Sequence, residues 1–105
     1  MRSSHTAAAV VEFAEDVRTI SVRGESLEVS EHRERLVYER RRVGRIEADR
    51  MRTALEELLD AIERVVDCIE AGDHVALAIR ALDAKLLQLE KLSPARSVAG
   101  STARA

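Results

Sequence analysis

From Met51 onward the apolar positions recur in alternating steps of four and three: Met51, Leu55, Leu58, Ile62, Val65 and Ile69. That alternation keeps one apolar seam on one side of an α-helix, and Leu59 and Val66 widen it. A second seam, Val75, Ile79, Leu82, Leu86 and Leu89, steps the same way. Between the two, Ala71-Gly72-Asp73-His74 reads as a tight helix–helix turn. Gly72 can supply the left-handed residue after a helix end, and Asp73 can cap the helix that follows. The pattern therefore predicts an antiparallel helical hairpin. Its second helix carries another apolar row, Leu77, Ala81 and Ala84, on a different side. A helix apolar on two sides is usually covered on both. One cover is the preceding helix; the other is an N-terminal helix or a second protomer.

Upstream, Val10, Phe13, Ala14 and Val17 predict a short helix over about residues 5–18, capped by Ser4 or Thr6. The period then changes. Ile20 and Val22 alternate with polar residues, as do Leu27 and Val29 on the far side of Gly24. This suits a minor β-hairpin near 18–29, which alone is marginal in water, and equally an irregular linker. From Ser30, a plausible N-cap, to Ala71 only Gly44 interrupts a helix. A glycine there costs only about 1 kcal/mol relative to alanine. Leu36, Val43 and Ile46 do not continue the later seam, so residues 30–46 read as an exposed extension of a long helix 30–71, bending near Gly44. The expectation is an all-α fold in one domain, residues 1–94, with helices over about 5–18, 30–71 and 73–92. Residues 95–105, small and polar, read as a disordered tail.

Composition narrows the class. With 105 residues there is room for one core, and four glycines with one proline are too few for a many-stranded sandwich. No apolar run approaches the roughly 20 residues of a membrane span, and no signal-peptide stretch opens the chain. Cys68 is alone, so no intrachain disulfide can form and a reducing cytoplasm is the simpler setting. A hairpin of helices of about 25 and 19 residues buries too little surface to stand alone. The seams thus predict a homo-oligomer, with Leu55, Leu58, Ile62, Val65, Ile69, Leu77, Ile79, Leu82, Leu86 and Leu89 at its interface.

Charge is unevenly spread although the net is only -2. Residues 33–52 hold eight arginines against four acids, and residues 53–92 hold nine acids against four bases. Arg33, Arg40, Arg41, Arg42 and Arg45 are the candidate nucleic-acid contacts, since an arginine-bearing helix can lie along phosphates. With Phe13 and Tyr38 the only aromatics, such contact would fall on the backbone rather than on stacked bases. Glu34, Glu39, Glu47 and Asp49 interleave and could pair with the same arginines along the helix. Glu56, Asp60, Glu63, Asp67 and Glu70 form an acidic stripe opposite the apolar seam, read as a hydrated face or a docking strip for a basic partner. Catalysis, metal and cofactor find no carrier. His5, His32 and His74 fall in separate segments without ligand spacing, no phosphate-binding glycine loop can be written, and Cys68 beside Ile69 reads as a packed small hydrophobe.

Residues 48–94, ADRMRTALEELLDAIERVVDCIEAGDHVALAIRALDAKLLQLEKLSP, resemble the C-terminal helical portion of small-terminase-like phage DNA-packaging proteins. The resemblance lies in the Gly72-Asp73 turn and in Lys85-Leu86-Leu87-Gln88-Leu89 running to Pro94. It implies a non-enzymatic assembly protein of a phage-infected cell, whose hairpin oligomerises while another element engages DNA and the packaging motor. Such proteins carry an N-terminal helix-turn-helix, for which the arginine cluster would here substitute. The other reading is a protein-binding regulator or inhibitor acting through a charged helical face.

Overall fold

The computed structural model describes residues 2–91, which form four α-helices and, among the described residues, no strand. These are α1 (Arg2–Arg23), α2 (Val29–Val43), α3 (Asp49–Ala71) and α4 (Val75–Lys91). Helices α1 and α3 each touch all three others, while α2 and α4 do not meet. The assembly measures 42 × 33 × 17 Å. Its thin dimension is about two helix layers, so every helix keeps a solvent face. The expected tail 95–105 lies outside the described residues.

Helix α1 is longer than its sequence suggested, and the β-hairpin near 18–29 does not form. Ile20 lies three residues after Val17 and so extends the helical stripe; it is partly buried, whereas Val22 is 63% exposed. The alternation of Ile20 and Val22 is thus a short coincidence within a 3.6-residue period. Ser21 Oγ donates to the Val17 carbonyl at 2.8 Å, satisfying its hydroxyl without leaving the helix. Gly24, at φ 71°, then stops α1: its N–H reaches the Ser21 carbonyl and the Glu25 N–H the Ile20 carbonyl. The same paired bonds end α3, where Gly72 (φ 71°) donates to Ile69 and Asp73 to Cys68. This is the Schellman arrangement, which satisfies the last carbonyls of a helix.

The single long helix 30–71 is not formed either. It is cut at residues 44–48 into α2 and α3, and α2 lies against α3 and α1 rather than projecting as an extension. The cause is Ile46, only 5% exposed. A continuous helix would carry Ile46 off the seam that begins at Met51; breaking the helix lets it enter the core. Arg45 and Ile46 tighten the end of α2 with N–H bonds to Arg42 and Val43, and Arg52 Nη1 binds the Ile46 carbonyl at 2.9 Å. Gly44 itself is right-handed, with φ -60°. A β-carbon there would meet only ordinary contacts, 3.4 Å from the Arg40 carbonyl oxygen. Gly44→Ala is therefore expected to leave stability within about 0.5 kcal/mol of the parent. Gly72→Ala, forced into the left-handed region, is expected to cost about 1 kcal/mol or more. Urea unfolding of the two variants measures the contrast.

The core joins all four helices. Val10, Phe13, Ala14 and Val17 of α1 meet Leu36 and Val43 of α2, the seam of α3, and Ala78, Leu82 and Leu89 of α4. This corrects the interface drawn from the sequence. Leu55, Leu58, Ile62, Val65 and Leu82 are fully buried within one chain, Leu89 is 5% exposed, and Ile69, Ile79 and Leu86 pack partly buried on the same core. Of those ten residues only Leu77 remains exposed, at 61%. The cover that the seams lacked is supplied by α1 and α2 of the same chain.

Candidate functional site

Helix α2 is the most polar of the four, and its buried positions are Leu36, Glu39 and Val43. With so narrow an apolar stripe, its remaining faces are mostly polar and carry five arginines. Arg40, Arg41 and Arg42 fill the last turn, where positive charge complements the negative end of the helix dipole. The fold then divides the arginines by their angle about the helix axis.

Arg33 and Arg40, seven residues apart, turn toward α3. Arg33 Nη2 donates to Asp67 Oδ1 at 2.8 Å and to Glu70 Oε1 at 2.5 Å. Arg40 Nη2 donates to Glu63 Oε1 at 2.6 Å and lies 2.9 Å from Asp60 Oδ1. Each guanidinium thus bridges two carboxylates one turn apart, and the seven-residue step on α2 matches that from Asp60 and Glu63 to Asp67 and Glu70. The hydrogen bonds that Arg33 donates to Asp67 and Glu70 raise its pKa above the ordinary arginine value. At Arg40 burial is the largest influence and lowers it, but Asp60 and Glu63 outweigh burial and the net direction is up. These half-exposed pairs are screened by water and contribute little to stability. Their consequence is electrostatic. The acidic stripe is neither a bare hydrated face nor open to an outside basic partner along its length, because α2 of the same chain occupies much of it.

Arg35 and Arg42 turn the other way and flank Glu39, whose side chain is 3% exposed. Arg35 Nε lies 3.7 Å from Glu39 Oε2, and Arg42 Nη1 lies 3.5 Å from Oε1. Neither approach makes a hydrogen bond to Oε1, which is buried without one. Arg35 also spreads its guanidinium 4.6 Å above the Phe13 ring and reaches Asp16 at 3.8 Å, tying α2 to α1. His32 stacks on the same phenylalanine with centroids 5.9 Å apart. The sequence identified Glu39 as a helix-surface partner for arginine. Its burial was missed, although Leu36, Glu39 and Val43 at steps of three and four carried the signal.

Two of the five predicted nucleic-acid contacts, Arg41 and Arg45, are exposed and have no ion-pair partner among the described residues. Arg41 lies on α2 three residues after Tyr38, itself 58% exposed, and Arg45 lies in the turn just beyond the helix end. The Arg42 guanidinium stands 5.5 Å over the Tyr38 ring. Tyr38, Arg41 and Arg42 follow the i, i+3, i+4 spacing of one helical face, and Arg45 follows in the turn that ends α2. Arg33 and Arg40 do not belong to this cluster.

Other candidate chemistry stays dispersed. Cys68 is half-buried against the core. It lines a shallow depression on α3 together with His74, but the imidazole Nε2 faces Asp73 at 3.1 Å. No group of His, Cys, Asp and Glu able to hold a metal occurs among the described residues. No described helix is long and apolar enough to cross a membrane. No protein-family model matches the chain, and no curated protein or solved structure matches it.

Proposed function

We propose that this protein is a non-enzymatic helical binding protein that engages a polyanion, DNA foremost, through the outward face of α2. The observation that carries the reading is the sorting of the arginines. Arg33, Arg35 and Arg40 are committed to carboxylates of the chain itself, whereas Arg41 and Arg45 are exposed and have no ion-pair partner among the described residues. Exposed guanidinia clustered at the C-terminal end of one helix suit a phosphate backbone. The resemblance of residues 48–94 to small-terminase-like packaging proteins supports the same direction, a DNA-contacting component of an assembly that also meets a motor protein.

Binding of a fluorescent DNA duplex, followed by anisotropy at rising salt, tests this. With two or three phosphates neutralised, log K should fall with log salt with a slope of roughly -2 to -3. Arg41→Ala with Arg45→Ala should weaken binding by an order of magnitude or more and flatten the slope by about 2. Arg33→Ala should leave the slope unchanged, its guanidinium being held by Asp67 and Glu70. Absence of duplex retention at low salt, or equal loss in Arg33→Ala, overturns the reading.

A further inference from the structure

Four carboxylates of α3, Asp60, Glu63, Asp67 and Glu70, meet only two guanidinia of α2, Arg33 and Arg40. Four negative charges against two positive leave this cluster with an excess of two negative charges. None of its members is deeply buried. The side chains of Arg33 and Arg40 are 37% and 35% exposed, and those of the four acids 44–68%. Water and solute anions therefore reach both guanidinia where they stand. Val37, 52% exposed, lies one helical turn from Arg33, from Arg40 and from Arg41. The flank that holds the two bridged arginines thus runs over open surface to Arg41. To a guanidinium, a carboxylate and a phosphate are alike as acceptors, since each presents negative oxygens that take charge-assisted N–H bonds.

We infer that the acidic stripe of α3 is a built-in competitor for the polyanion, holding Arg33 and Arg40 back and so restraining the affinity of α2 for a phosphate backbone. The inference rests on the reading of α2 as a polyanion-binding helix and adds its regulation. Two effects act together. Each bridged arginine must release two carboxylates before it takes a phosphate. The two surplus negative charges also repel an approaching duplex within about a Debye length, roughly 8 Å at physiological salt. The exchange leaves the core untouched, because the apolar seat of α2 is Leu36 and Val43 and not these arginines. Neutralising the stripe hands both arginines to the polyanion.

Duplex anisotropy against salt tests this with Asp60→Asn, Glu63→Gln, Asp67→Asn and Glu70→Gln combined. The far-UV spectrum should match that of the parent. With two further phosphates neutralised, the salt slope should steepen by roughly 2, and affinity at low salt should rise about ten-fold or more. Should the four changes together disturb the fold, Asp67→Asn with Glu70→Gln frees Arg33 alone and should add about 1 to the slope. Glu12, Glu15, Glu56 and Glu90 are exposed and have no ion-pair partner among the described residues. Changed to Gln together they shift the net charge equally, and should raise affinity less and leave the slope unchanged. In the neutralised chain, Arg33→Ala with Arg40→Ala should take the extra slope away. An equal gain in the charge-matched control, or a gain that survives the loss of Arg33 and Arg40, overturns the inference. Binding by the parent through Arg41 and Arg45, with no added slope in the neutralised chain, overturns it and leaves the reading of α2 standing. Duplex retention by neither chain overturns both. Retention by the neutralised chain alone, lost with Arg33 and Arg40, upholds the competitor and overturns the sufficiency of Arg41 and Arg45.

Discussion

Leu82→Asp is expected to unfold the chain. Leu82 is completely buried among the helices of a single molecule, and a lone carboxylate there has neither water nor a partner. Burying an unpaired charge costs several kcal/mol even after the group protonates or the structure relaxes. A small domain has a total stability of only about 5–15 kcal/mol. Loss of helical circular dichroism and of any cooperative urea transition is the expected result, identical at about 1 and 100 µM because the defect lies inside one protomer. A variant that stays helical and monomeric would instead place Leu82 at a contact between chains. Leu77→Asp is the matched control. On the same helix but 61% exposed, it should retain the fold, with a stability change within about 0.5 kcal/mol.

Phe13→Ala is expected to remove about 3–5 kcal/mol. Phe13 is the one phenylalanine of the chain and is fully buried. Its ring fills the space where α1 meets α2, under the Arg35 guanidinium and beside His32. Truncation leaves a cavity that rigid helices close only in part, and it also strips Arg35 of its aromatic platform. Phe13→Leu, which keeps most of the volume, should cost under about 1.5 kcal/mol. Chemical denaturation separates the two. Because α1 covers the apolar surface of α3 and α4, Phe13→Ala should also raise binding of a hydrophobic dye before the main unfolding transition. Equal, small losses in both variants would mean that α1 contributes little to the core.

The arginine segment marks where local pattern stops informing. Arg33, Arg40, Arg41, Arg42 and Arg45 are chemically one cluster along the chain, yet they serve three environments once α2 docks. Two bridge the carboxylates of α3, one leans on a buried glutamate and a tyrosine, and two face outward. Glu39 stands at the i,i+4 and i,i+3 steps from Arg35 and Arg42, and both stay close to it. Arg40 has no acid at either step along its own helix, and only the position of α3 supplies its partners, Asp60 and Glu63.

What the chain determines by itself is short-range. The four-three seam of α3, its stop at a left-handed Gly72, and the apolar stripe Val10–Val17 follow from helical periodicity and from the freedom of glycine at positive φ. These depend on residues within a turn of one another. What only the tertiary structure decided is everything that needs a distant partner: that α1 runs through Arg23, that the helix breaks so Ile46 can enter the core, and that the leucines of α3 and α4 are covered from within. A seam records that an apolar face must be buried, but the free energy of burial is indifferent to whether the covering surface belongs to the same chain or to another.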